Sequence, residues 1–181
     1  MKTAFLGASL AAIVGSVATA DVTYSFTNQT WTGFNFAEAY TAGGLSGTLT
    51  GATVNATLNA STNYTYADDL TVYVAGSPLA LGGALQCGGF SNLNAVQRYS
   101  WANGGSSAPG TTVTGTVNFT TGIDMTASPT LSVWIGNGYG AAGTSGTFTG
   151  SITLLGVTAV PAPGAIALVG LAGLVGRRRR S

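Results

Sequence analysis

Apolar and polar positions alternate along most of this chain. Between residues 53 and 59, Val54, Ala56 and Leu58 fall on one side, with Asn55, Thr57 and Asn59 on the other. Between 111 and 120, Val113, Gly115, Val117 and Phe119 alternate with Thr112, Thr114, Thr116 and Asn118. Between 147 and 154, Phe148, Gly150, Ile152 and Leu154 alternate with Thr147, Thr149, Ser151 and Thr153. A period of two is the signature of a half-buried strand, here with a hydroxyl-rich outer face. Further strands are predicted over 22–27, 33–36, 45–50, 70–75, 79–86, 95–101 and 131–136. Turn chemistry separates them at Asp68-Asp69, Gly76-Ser77-Pro78, Cys87-Gly88-Gly89, 103–110 and 137–146. No stretch of 21–159 carries a helical period. The prediction is an all-β fold, a single β-sandwich of jelly-roll-like type with its connectivity open. Two segments, 70–74 and 131–135, place three aliphatics on one face and an aromatic on the other. Tyr73 and Trp134 are thus expected on the outer or concave face.

The pattern changes at both ends. Lys2, an apolar run over 4–17 and the small residues Ala18 and Ala20 predict a secretory signal peptide over 1–20, cleaved before Asp21. That expectation brings Sec export and signal peptidase with it. At the other end, Pro161-Ala162-Pro163 precede an apolar run, and Arg177, Arg178, Arg179 and Arg180 follow it. A transmembrane helix is predicted over 163–176. Counted through Arg178, it rises roughly 24 Å against a bilayer core of about 30 Å, and arginine snorkelling supplies the remainder. Its six strong apolar residues give an insertion drive of only about −2 to −4 kcal/mol. Four arginines at one end favour the cytoplasmic side, which leaves the preceding residues outside. The competing reading is a buried C-terminal helix with a solvated basic tail.

The order of these C-terminal elements resembles the PEP-CTERM sorting signal of exopolysaccharide-producing Gram-negative bacteria. The resemblance covers 160–181. Pro161 and Pro163 match the prolines of that family's Pro-Glu-Pro element, and Ala162 stands where the family has glutamate. The resemblance implies processing by an exosortase-like membrane transpeptidase. It also implies passage from the inner membrane to the cell surface or extracellular matrix. Separately, Tyr66-Ala67-Asp68-Asp69-Leu70 resembles the strand entry of galactose-binding-like and proprotein-convertase P-type sandwiches over about ten residues.

The ectodomain between the two signals is then about 140 residues (21–159), one ordinary domain. It holds Asp21, Glu38, Asp68, Asp69 and Asp124 against Arg98 alone. It is slightly acidic, which argues against a nucleic-acid partner. Charged residues make up 6% of the chain, so solubility must rest on Thr, Ser and Asn. Cys87 is the one cysteine, which excludes an intramolecular disulfide. Its apolar setting reads as a core or loop residue, with an intermolecular bridge as the alternative.

Candidate chemistry is sparse. With no histidine in the chain and no lysine after Lys2, the usual nucleophile–base pairs and a lysine base are absent from the ectodomain. Zinc and redox metals lack their customary ligands. No cofactor is expected. Calcium needs only loop oxygens, and 65–69 could supply some, though no Asp-x-Asp-x-Asp-Gly loop is present. A glycoside hydrolase would need two converging carboxylates; the candidates are Glu38, Asp68, Asp69 and Asp124, nothing in the sequence brings two of them together, and the adjacent Asp68 and Asp69 read more simply as a turn. Carbohydrate binding is the sharper alternative, by stacking sugars on Trp101, Trp134 or Tyr73. Trp31 is a weaker candidate, and any one of these rings is more often core. Sequons begin at Asn28, Asn55, Asn59, Asn63 and Asn118, as Thr-rich sequence produces by chance, and no glycosylation is assigned to them. The expectation is a non-enzymatic, membrane-tethered surface or matrix protein, with an exopolysaccharide-binding module and a glycosidase as alternatives.

Overall fold

The computed structural model describes residues 21–77 and 81–161. The expected signal peptide, the transmembrane helix, Ala162, Pro163 and the arginine cluster lie outside them. Among the described residues no helix is long and apolar enough to cross a membrane.

Among the described residues nine strands make two sheets: β1 (Val22–Thr32), β2 (Asn35–Tyr40), β3 (Leu45–Thr62), β4 (Leu70–Ala75), β5 (Leu85–Cys87), β6 (Gln97–Tyr99), β7 (Thr111–Asp124), β8 (Ser132–Asn137) and β9 (Ser145–Ala159). One sheet has the order β1-β9-β3-β7 and the other β2-β8-β4-β5-β6. All pairings are antiparallel except β5 with β6. The all-β expectation holds.

The alternating positions face as their period requires. Val54, Ala56 and Leu58 of β3 and Phe148, Ile152 and Leu154 of β9 meet Leu70, Val72 and Val74 of β4 and Val133 and Ile135 of β8 in one hydrophobic cluster. Burying a side chain of this size contributes about 1.5–3 kcal/mol, which is what commits the register. Cys87 lies in the same cluster, and burial pushes its thiol pKa up.

The outer face of the four-stranded sheet carries hydroxyls in register. Thr23, Thr153, Thr53 and Thr116 form one row across all four strands. Thr23 and Thr153 share a hydrogen bond of 2.8 Å, and Thr53 and Thr116 one of 2.7 Å. Cross-strand pairs of this kind stabilise the sheet and keep its surface wet without charge.

The structure corrects several boundaries. The predicted strands 45–50 and 53–59 are one strand, β3, whose pairing shifts between Leu49 and Gly51. The predicted strand 33–36 sits later, as β2. The larger correction concerns Tyr73. It does lie on the opposite face from Val72 and Val74, but that face is covered. Tyr73 is 0% exposed and packs with Phe36, Ala75 and Leu93, against which Phe34, Ala95 and Trp134 rest. Its hydroxyl accepts the Gly83 N–H at 2.9 Å.

Candidate functional site

The ends of β3, β5, β6 and β8 converge at one pole of the molecule, because β4 runs antiparallel to both β5 and β8 while β6 follows β5. The connections leaving those ends enclose a cleft of about 500 Å³. That is within the range of small-ligand sites, about 300–1,000 Å³.

From the β3–β4 connection come Tyr64, Tyr66, Asp68 and Asp69. Asn63 and Tyr64 both adopt positive φ, 50° and 64°. A bulky residue rarely takes this left-handed conformation, which costs of order 1–3 kcal/mol and clusters at functional sites. Here it coincides with a ring that is 75% exposed at the rim of the cleft.

A single 3-10 turn over Ala67–Asp69 follows. Buried Asp69 ties two connections together: its Oδ2 accepts the Tyr66 N–H at 2.7 Å and its Oδ1 the Phe90 N–H at 3.0 Å. Burial is the main cause that pushes its pKa up to about 6; the neighbouring Asp68 charge adds to this, and the two N–H groups oppose it. Burial likewise raises Asp68, against its own backbone N–H.

The β5–β6 connection contributes Gly88, Gly89 and Phe90. Both glycines have positive φ, 80° and 82°. A Cβ on Gly88 would strike the Leu70 carbonyl and the Trp101 indole, and one on Gly89 the Thr71 hydroxyl. The pair therefore permits the close approach that delivers Phe90, 74% exposed, to the rim. Gln86 fixes the rest of this loop. Its Nε2 donates to the carbonyls of Gly88 at 3.2 Å and Ser91 at 2.7 Å, and its Oε1 accepts the Leu93 N–H at 3.0 Å.

Tyr139, from the β8–β9 connection, is held by the Asn137 side chain, whose Oδ1 accepts its N–H at 3.1 Å. The Ser91 N–H donates to the Gly138 carbonyl at 2.9 Å, and the Gly138 N–H to the Asp69 carbonyl at 2.8 Å. Phe90 and Tyr139 meet edge to face with centroids 5.7 Å apart. Arg98, on the edge strand β6, completes the wall and donates from Nη2 to the carbonyls of Phe90 at 2.9 Å and Gly89 at 3.4 Å.

The rings expected to stack sugars are placed differently. Trp101 does border this cleft, but it is 5% exposed and its indole N–H donates to the Leu70 carbonyl at 2.6 Å, so it is floor and not platform. Trp134 is half-buried against the second cluster, with its indole N–H on the Ala75 carbonyl at 3.1 Å. Tyr73 is inaccessible, and Trp31 is core. The accessible rings are Tyr64, Phe90 and Tyr66. Asp68 and Asp69, expected to form only a turn, both line the cleft. Among the described residues no three His, Cys, Asp or Glu side chains gather as a metal site.

No protein family matches the chain, and neither a curated protein nor a solved structure is detectably similar to it.

Proposed function

We propose that this chain is a non-enzymatic carbohydrate-binding protein of the cell surface or extracellular matrix, exported through its signal peptide and tethered through its PEP-CTERM-like segment. We read the two sheets as a β-sandwich. With β6 set aside, their strand order is that of a double Greek-key jelly roll, an architecture that lectin domains use. The observation that carries the reading is the cleft rim. Exposed aromatics are costly in water, and Tyr64 is held there in a strained backbone conformation. Sugars bury their apolar faces on such rings while their hydroxyls pair with carboxylates and main-chain groups.

A glycosidase is the second reading, favoured by two cleft carboxyls with raised pKa values. Against it, both Asp69 oxygens are occupied by backbone N–H groups, a structural duty that takes up one of the two carboxyls a glycosidase needs.

The test is binding of the full chain, purified in detergent, to a glycan array. Tyr64→Ala and Phe90→Ala are each expected to weaken retained ligands several-fold, with thermal stability nearly unchanged because both rings are exposed. If the double variant binds like the parent, the cleft is not the site. Release of shorter oligosaccharides that stops on Asp68→Asn would favour the enzyme.

A further inference from the structure

Resting on that carbohydrate reading, we infer that the cleft selects acidic glycans, with the Arg98 guanidinium receiving a sugar carboxylate while Tyr64 and Phe90 take the apolar faces of the chain. The motivating fact is scarcity. Between residues 21 and 159 there is one basic side chain against five acidic ones, and it stands in the wall of a cleft that also bears exposed rings. Its position is fixed by main-chain carbonyls and not by a carboxylate: Nη2 binds Phe90 and Gly89. That anchors one nitrogen of the planar fork and presents a pre-oriented cation. Guanidinium geometry matches a carboxylate bidentately, giving charge-assisted bonds about twice as strong as neutral ones.

Asp69 makes no ion pair with this arginine: its two oxygens accept the Tyr66 and Phe90 N–H groups, while Arg98 donates to carbonyls. Burial raises the pKa of both cleft aspartates, and the Asp69 charge is lost only as pH falls below about 6. A neutral glycan would need only rings and hydrogen-bonding groups, which Thr, Asn and main chain supply throughout this surface. A lone arginine held by carbonyls offers a charge-assisted donor whose largest gain is with an anion.

The decisive measurement uses the full chain in detergent and oligomers of glucuronate, galacturonate and mannuronate, each beside its methyl ester. Esterification removes the charge and keeps the sugar. At least one acid should bind about tenfold or more tightly than its ester. That preference should shrink as salt rises, and Arg98→Gln should bring the acid-to-ester ratio close to one. Arg98→Lys, which keeps charge without the fork, should fall between and serves if the glutamine variant melts early. Equal binding of acids and esters overturns the inference, as does an acid preference that survives Arg98→Gln in a normally folded protein. Neutral glycans that bind through Tyr64 and Phe90 without acid preference sink this inference alone. Failure to retain any glycan sinks the carbohydrate reading with it.

Discussion

Asp69 shows how one side chain can hold a site without touching a ligand. Its two oxygens accept N–H groups from residues 66 and 90, and its main-chain carbonyl accepts the Gly138 N–H and the Thr71 hydroxyl. Three chain segments therefore meet on one residue. Asp69→Ala removes the charged acceptor of two part-buried N–H groups, a loss of about 1–3 kcal/mol each. Chemical denaturation should show a destabilisation of about 2–4 kcal/mol, with Asp69→Asn losing less. The carboxyl also gives stability a pH dependence whose sign is fixed. Its folded pKa, about 6, lies above the ordinary 3.8. The native state therefore binds the proton more tightly, and the contribution is full below about pH 4 and lost as pH rises through about 6. Asp68 is raised in the same sense. Denaturation midpoints should fall from pH 4 to pH 7, with a flatter profile in Asp69→Asn. A midpoint that climbs over that interval would reverse the assignment.

At the level of elements, the cleft loops are tied down by single polar residues. Gln86 is the clearest case. It sits on the covered face of β5, is 0% exposed, and spends its amide on three main-chain groups of 88–93. Gln86→Ala should cost about 2–4 kcal/mol. It should also raise amide hydrogen exchange specifically over 88–93, while β3 and β9 stay protected. Uniform loss of protection would mean the loop has no independent anchoring. The same segment explains what the sequence could reveal. Period-two alternation told faces apart correctly for β3, β4, β7 and β9, because face is a local property of a strand. It could not tell what covers a face. Tyr73 points outward as alternation requires, and Gly83, Leu93 and Ala95, from the irregular segments on either side of β5, close over it. The cleft was less legible still. Its rim residues come from connections 64–69, 88–90 and 139, and from one edge strand, with no spacing to link them. A signal did exist: Gly88-Gly89-Phe90 and Gly138-Tyr139-Gly140 place an aromatic ring among glycines in turns, where no strand neighbour can bury it.

At the scale of the molecule, both ends of the described chain lie at the pole opposite the cleft. Ser145, where β9 begins, lies at the cleft pole beside Thr62, and β9 runs away from it to Ala159, paired with Leu45. The Val160 N–H donates to the Gly44 carbonyl at 2.9 Å, and the Asp21 carboxylate accepts the Gly156 N–H at 2.9 Å, so both ends of the described chain leave from the far pole. Fifteen residues of strand span roughly 50 Å. On the proposed tethering through the segment that follows, the cleft would face away from the bilayer, as the proposed capture of an external glycan requires. Cys87 makes this testable, because the one native thiol is buried and its raised pKa disfavours the thiolate. A Tyr64→Cys variant would place a reactive thiol at the rim. In spheroplasts, a membrane-impermeant maleimide should label that variant without lysis and leave the parent protein unlabelled, and the labelled species should sediment with membranes. The intact mass should begin at Asp21. Labelling that appears only after lysis would put the cleft on the cytoplasmic side, and with it would go export, tethering and the external ligand.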